Sequence, residues 1–159
     1  MKIIVVGDWL ADIYEEAFHN AFKSLGHESY AFGWLKYFNY RLEAQRYRLK
    51  RNFILELIAK LQHKLNFGPT INIINKELIK LALNVNPDLI VFYRGLHVKP
   101  QTLTTIKKKT QTNLFFYNND DFLSKHYNAV HKKNIVLNLK YFDHLFVYRE
   151  KNVNELEKM

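Results

Sequence analysis

Apolar residues recur along this chain in two rhythms, short unbroken runs and longer stretches where they return every three or four positions. Residues 2–7 form a β-branched run that Gly7 ends, the pattern of a buried first strand. Residues 29–32 predict a short second strand, and 89–93, 114–117 and 144–148 predict a third, fourth and fifth. The fourth run reads as fully buried and stops abruptly at Asn118, Asn119, Asp120 and Asp121. Four short polar side chains then fall at a strand's carboxyl end, where open α/β sheets form their crevices.

Between these runs the period becomes helical. Asp12 is placed to cap a helix, with Glu15 as the returning half of a capping box. Ile13, Ala17, Ala21 and Leu25 recur beside Tyr14, Phe18 and Phe22, predicting a wide apolar face that stops at Gly26. A long helix is expected over 40–66, where Tyr47, Ile54, Leu57, Ile58, Leu61 and Leu65 fall within an arc of about 100 degrees. Gly68 and Pro69 break it, and a second helix over 70–84 carries Ile71, Ile74, Leu78, Leu81 and Val85 on one side. Pro100 opens a helix that closes with Lys107, Lys108 and Lys109, a further helical region carries Ile135, Leu137 and Leu139, and 150–158 reads as a last, polar helix.

Strands alternating with helices, and apolar on both faces, imply an α/β chain: a Rossmann-like three-layer sandwich around a five-stranded parallel sheet. Right-handed crossovers favour strand order 2-1-3-4-5. The expected unit is one domain over 1–159, with a helical insertion at about 40–84. At the switch point of that order, Gly7, Asp8 and Trp9 face Arg94, Gly95, Leu96 and His97 across a crevice, with residues 118–121 beside them.

Composition narrows the picture. The 159 residues include no cysteine, which excludes disulfides, thiolate nucleophiles and cysteine-bound zinc. The first apolar run is too short for a signal peptide or a spanning helix, so a cytoplasmic location is expected. A net charge of +9 favours anionic partners. Arg41, Arg46, Arg48 and Arg51 crowd the start of the long helix, where the macrodipole disfavours cations. The reading there is a solvated face, or a peripheral contact with an anionic membrane, with nucleic acid the weaker candidate. Lys107 to Lys109 sit where a helix end favours them and read as structural.

The candidate chemistry is polar rather than cofactor-based. Only Gly7 follows the first strand, so a glycine-rich dinucleotide cradle is not expected, and no cofactor is. Asp120 and Asp121 are placed to act as a general base or as ligands of a sugar hydroxyl or a metal; one of them can equally cap the next helix, and two adjacent carboxylates allow both. Arg94 is suited to bind an anion or to pair with either aspartate. Phe32, Trp34, Tyr37, Phe38 and Tyr40 offer a stacking platform or, more simply, packing for their loop. None of the seven histidines has metal-ligand spacing, so no metal site is expected.

The segments Val6-Gly7-Asp8-Trp9, Tyr14-Glu15-Glu16-Ala17, Leu25-Gly26-His27, Pro87-Asp88-Leu89-Ile90, Tyr93-Arg94-Gly95, Asn118-Asn119-Asp120-Asp121 and Phe146-Val147-Tyr148-Arg149 together resemble the N-terminal lobe of two-lobed GT-B glycosyltransferases, closest to the spore-maturation CgeB-like branch. Phe122 stands where many of that family have proline. The resemblance implies a lobe that binds a sugar or glycan acceptor, with Asp120 or Asp121 catalytic. Gly7, Asp8, Trp9, Tyr14, Arg94, Gly95, His97, Asn118 and Asn119 would then shape the acceptor pocket. It also implies a nucleotide-sugar lobe that these residues do not include, either further along the same polypeptide or on another chain, and that sugar transfer by this chain alone is not expected.

Overall fold

The computed structural model describes residues 1–10, 12–38 and 53–158. Its centre is a five-stranded parallel sheet in the order β2-β1-β3-β4-β5, a Rossmann-like α/β architecture with interleaved helices. The strands are β1 (Lys2–Gly7), β2 (Glu28–Gly33), β3 (Leu89–Tyr93), β4 (Asn113–Asn118) and β5 (His144–Val147). The order expected from the apolar runs is the order observed.

The helices are α1 (Ala17–Ser24), preceded by a π-helical turn (Asp12–Glu16), then α2 (Phe53–Leu65), α3 (Pro69–Val85), α4 (Pro100–Thr110), α5 (Ala129–Leu139) and α6 (Glu150–Leu156). Pro69 and Pro100 start α3 and α4, where a missing N–H is harmless, and left-handed Asn86 ends α3. The chain after β2 forms a short 3-10 turn, Leu35–Phe38. Arg41, Arg46, Arg48 and Arg51, with Tyr40 and the start of the long helix, lie outside the described residues, as does the side chain of Asp12.

Strand alternation divides the core unequally. Ile4, Val6, Ile90, Phe92, Leu114 and Phe116 point to one face, where Ile71, Ile74 and Leu78 of α3, Leu103 and Ile106 of α4, and Ile135 of α5 bury them. Ile3, Leu89 and Val91 point to the other, where they meet Phe22 of α1 and Phe115. Among the described residues only α1 and its preceding turn cover that second face. β4 is therefore not fully buried, since Phe115 and Tyr117 are half-exposed, and β5 is largely exposed.

Two helix faces also differ from the expected ones. Phe18 and Phe22 pack inward, while Ile13, Ala17, Ala21 and Leu25 face solvent. In α2, Ile54, Leu57, Ile58, Leu61 and Leu65 are exposed, and Ala59 is the buried residue. Its neighbours Gln62 and His63 are half-buried, and the Gln62 Oε1 accepts the Thr70 N–H at 2.8 Å, which closes the turn into α3. Periodicity locates a helix and its apolar stripe, but docking of the polar edge was decided by contacts with α3 and α5. No helix among the described residues is long and apolar enough to cross a membrane.

Candidate functional site

Three loops meet at the carboxyl rim of the sheet, and Arg94 ties them together. β3 ends at Tyr93, and the backbone then passes through two left-handed residues, Arg94 (φ 62°) and Gly95 (φ 58°). The Arg94 N–H donates to the Tyr117 carbonyl at 2.9 Å and the Gly95 N–H to that of Tyr93 at 2.8 Å. A left-handed conformation costs a non-glycine residue about 1–3 kcal/mol. The turn aims the guanidinium back into the crevice, 3.1 Å from Asp120 Oδ2 and 3.8 Å from Asp8 Oδ2. Desolvation acts to lower the Arg94 pKa, but Asp120, Tyr93 and Asp8 outweigh it and the net shift is upward.

Aromatic rings form the wall beside this charge cluster. Tyr14 stacks on Tyr93 with centroids 5.0 Å apart, and the guanidinium lies 4.8 Å from the Tyr93 centroid. The Tyr93 hydroxyl donates to Asn119 Oδ1 at 2.9 Å. Burial pushes its pKa up to about 12, so it stays a donor. Buried Asn118 accepts the Asp120 N–H through its Oδ1 at 2.9 Å, a local turn that directs Asp120 toward Arg94. The Asn118 Nδ2 is buried without a partner.

Glu15 has a different role from the capping box read for it. Its carboxylate is fully buried beneath the exit of β1, and its Oε1 accepts the N–H of left-handed Trp9 at 3.1 Å. A Cβ on Gly7 would run into that carboxylate, so glycine is required there by close approach. Burial raises the Glu15 pKa, and the charge of Asp8 adds to the rise. Its Oε2 has no partner.

The two adjacent aspartates separate. Asp120 faces the crevice, whereas Asp121 accepts from Asn152 Nδ2 at 2.9 Å and Lys151 Nζ at 3.1 Å and so fastens α6. Those hydrogen bonds lower the Asp121 pKa. Neither aspartate caps α5; Asn128 does, its Oδ1 accepting the N–H groups of Val130 and His131 at 3.0 and 3.1 Å. Phe122 packs in the core against Phe116.

His97 does not line the crevice. It is fully buried behind the β3 exit loop, with Trp34 4.5 Å from it between ring centroids. Phe32 and Trp34 are likewise core residues, so they pack rather than form a platform. Around His97 stand His63 of α2 and His131 of α5, with ring centroids 4.7 Å and 5.4 Å away. Burial, with smaller contributions from His63 and His131, takes the His97 pKa down to about 2. His63 is also lowered, chiefly by burial. One nitrogen from each of the three rings lies within 4.8 Å of the others. Spacing in sequence gave no sign of this group, because 68 residues separate His63 from His131.

Fold and rim together define a Rossmann-like α/β unit with a charge cluster of Asp8, Arg94 and Asp120 at its switch point. Compared with protein-family models, curated proteins and solved structures, the chain matches none.

Proposed function

We propose that the crevice binds a neutral, hydroxyl-rich molecule, a sugar or glycan that accepts a glycosyl group, and that Asp120 is the base for the acceptor hydroxyl. The observation that carries this reading is local charge. Asp8 and Asp120 flank a single Arg94, and Glu15 lies under the loop between them, although the chain as a whole carries +9. A phosphate at this rim would meet carboxylates at the place where a nucleotide cradle offers free N–H groups. A sugar suits it better, since hydroxyls both donate to carboxylates and accept from Arg94 and the Asn119 amide.

In this scheme Asp120 takes the hydroxyl proton as the new glycosidic bond forms and the donor's sugar–phosphate bond breaks, the nucleotide leaving with that electron pair. Arg94 fixes the carboxylate, and half-buried Tyr14, stacked on buried Tyr93, supplies an apolar face for a sugar ring. The likeness to acceptor-binding lobes of GT-B enzymes supports the same assignment. Transfer would also require a lobe that binds the nucleotide sugar, on this polypeptide or on a partner.

Amide chemical-shift titration tests the proposal with two panels, neutral saccharides and nucleotide sugars. A neutral saccharide is expected to shift Trp9, Tyr14 and Asn119, and its affinity to fall at least about tenfold in Asp120→Ala, as when a polar site loses a partner. Shifts at the rim with nucleotides alone, or with neither panel, would overturn it.

A further inference from the structure

Three imidazoles, those of half-buried His63 and buried His97 and His131, cluster behind the β3 exit loop. His131 Nε2–H donates to the His63 carbonyl at 2.8 Å. A carbonyl only accepts, so this bond puts the proton on Nε2 and leaves the Nδ1 lone pair free. His97 Nδ1–H donates to Asn66 Oδ1 at 2.9 Å, which leaves its Nε2 as an acceptor. That Nε2 is buried, in a fully buried side chain, and has no partner. Outer hydrogen bonds of this kind, from one ring nitrogen to a carbonyl or amide oxygen, orient the imidazoles of metal sites and fix their tautomers.

We propose that His63, His97 and His131 bind one transition-metal dication, Zn²⁺ or a borderline ion of similar preference. Three neutral nitrogens suit such an ion, and the absence of a carboxylate from the group disfavours Mg²⁺ and Ca²⁺, which require oxygen ligands. Nitrogens sharing one tetrahedral ion stand roughly 3.3 Å apart, given metal–nitrogen bonds of about 2.0–2.1 Å. Ion binding requires the 4.8 Å limit to close to that spacing. Three histidines leave a fourth position open, the pattern of catalytic rather than structural zinc. The Trp34 indole N–H is also buried without a partner, and its ring lies 4.5 Å from that of His97 between centroids.

The surroundings agree with this chemistry. Phe38 stands 5.1 Å from both His63 and His97, so the pocket has apolar walls that limit competing water. Of the three ligands, His97 belongs to the loop that carries Arg94 into the crevice, and a bound ion would tether that loop to α2 and α5. The proposal stands apart from the acceptor reading, because ion binding needs no saccharide.

The test uses the whole chain stripped with a chelator and titrated with Zn²⁺ and Co²⁺. One ion per chain is expected, with Co²⁺ giving the visible absorption of a tetrahedral site. Side-chain ¹⁵N resonances of His63, His97 and His131 should shift on Zn²⁺ addition while those of exposed His126 and His144 stay. His63→Gln, a change at the half-buried member, should weaken binding by at least about tenfold. Binding that is absent, that shifts only the exposed histidines, or that survives His63→Gln unchanged would overturn the proposal, and the resonance readout on the unmodified chain keeps the test independent of variant folding.

Discussion

The crevice and the imidazole pocket lie on either side of one loop, residues 94–98, and differ in the charge they hold. At the crevice, charges are matched within the protein: Arg94 with Asp8 and Asp120, Asp121 with Lys151 and Asn152. In the pocket the rings of His97 and His131 donate outward, to Asn66 Oδ1 and the His63 carbonyl, and the buried His97 Nε2 has no partner. Half-exposed ion pairs are weak contributors to stability, because water competes for each partner. A buried acceptor without a donor costs about 1–3 kcal/mol, so an arrangement that retains one points toward something that binds there. The difference teaches that the charged rim stays open to water while the pocket excludes it.

The largest expected effect comes from the residue that holds the shared loop. Asn75 of α3 donates to the Ile71 and His97 carbonyls and accepts from the Lys99 N–H and the Thr102 hydroxyl, all within 2.7–2.8 Å. Asn75→Ala should cost about 3 kcal/mol in denaturant unfolding, since it strands several buried groups at once. Hydrogen exchange should rise more at residues 96–99 than at residues 7–9. Equal rises would break the distinction between the two regions.

A smaller effect is expected on the crevice side. Gly7→Ala should destabilise by about 2 kcal/mol, as overpacking does, because the new methyl meets the Glu15 carboxylate. A double-mutant cycle sharpens this: in a Glu15→Ala background the cost of Gly7→Ala should largely disappear, and an undiminished cost would place the strain elsewhere.

The smallest effect is a pH dependence. The folded pKa of Glu15 lies above its ordinary value of 4.5, raised mainly by burial. The folded state therefore holds this proton more tightly than the unfolded state, and stability falls as pH rises from the ordinary value through the raised one. Glu15→Gln should unfold at a higher temperature than the parent at neutral pH, and the gap should close below pH 4.5. A gap that persists at acid pH would show that packing, not ionisation, separates the two chains.

Much of the fold was legible in the residues themselves. Continuous apolar runs marked all five strands, and Pro69, Pro100 and Gly26 marked helix limits, because strand burial and backbone restrictions act locally. The convergence of Asp8, Arg94 and Asp120 followed from strand order, since parallel strands bring their carboxyl ends to one rim.

Other features depended on contacts between distant segments. The identical side chains of Asp120 and Asp121 gave no basis for separating them; α6 did, by offering Lys151 and Asn152 to one alone. The outward stripes of α1 and α2 were set by what lay opposite each helix rather than by their period. The histidine pocket joins α2, the β3 exit and α5, and no pattern along the chain records which nitrogen of each ring is left free. The sequence determined the sheet, its order and the rim, because backbone geometry and apolar periodicity are encoded within a few residues. Only the tertiary structure decided the partners of each polar group, because burial and hydrogen bonding depend on what other elements bring within about 3 Å.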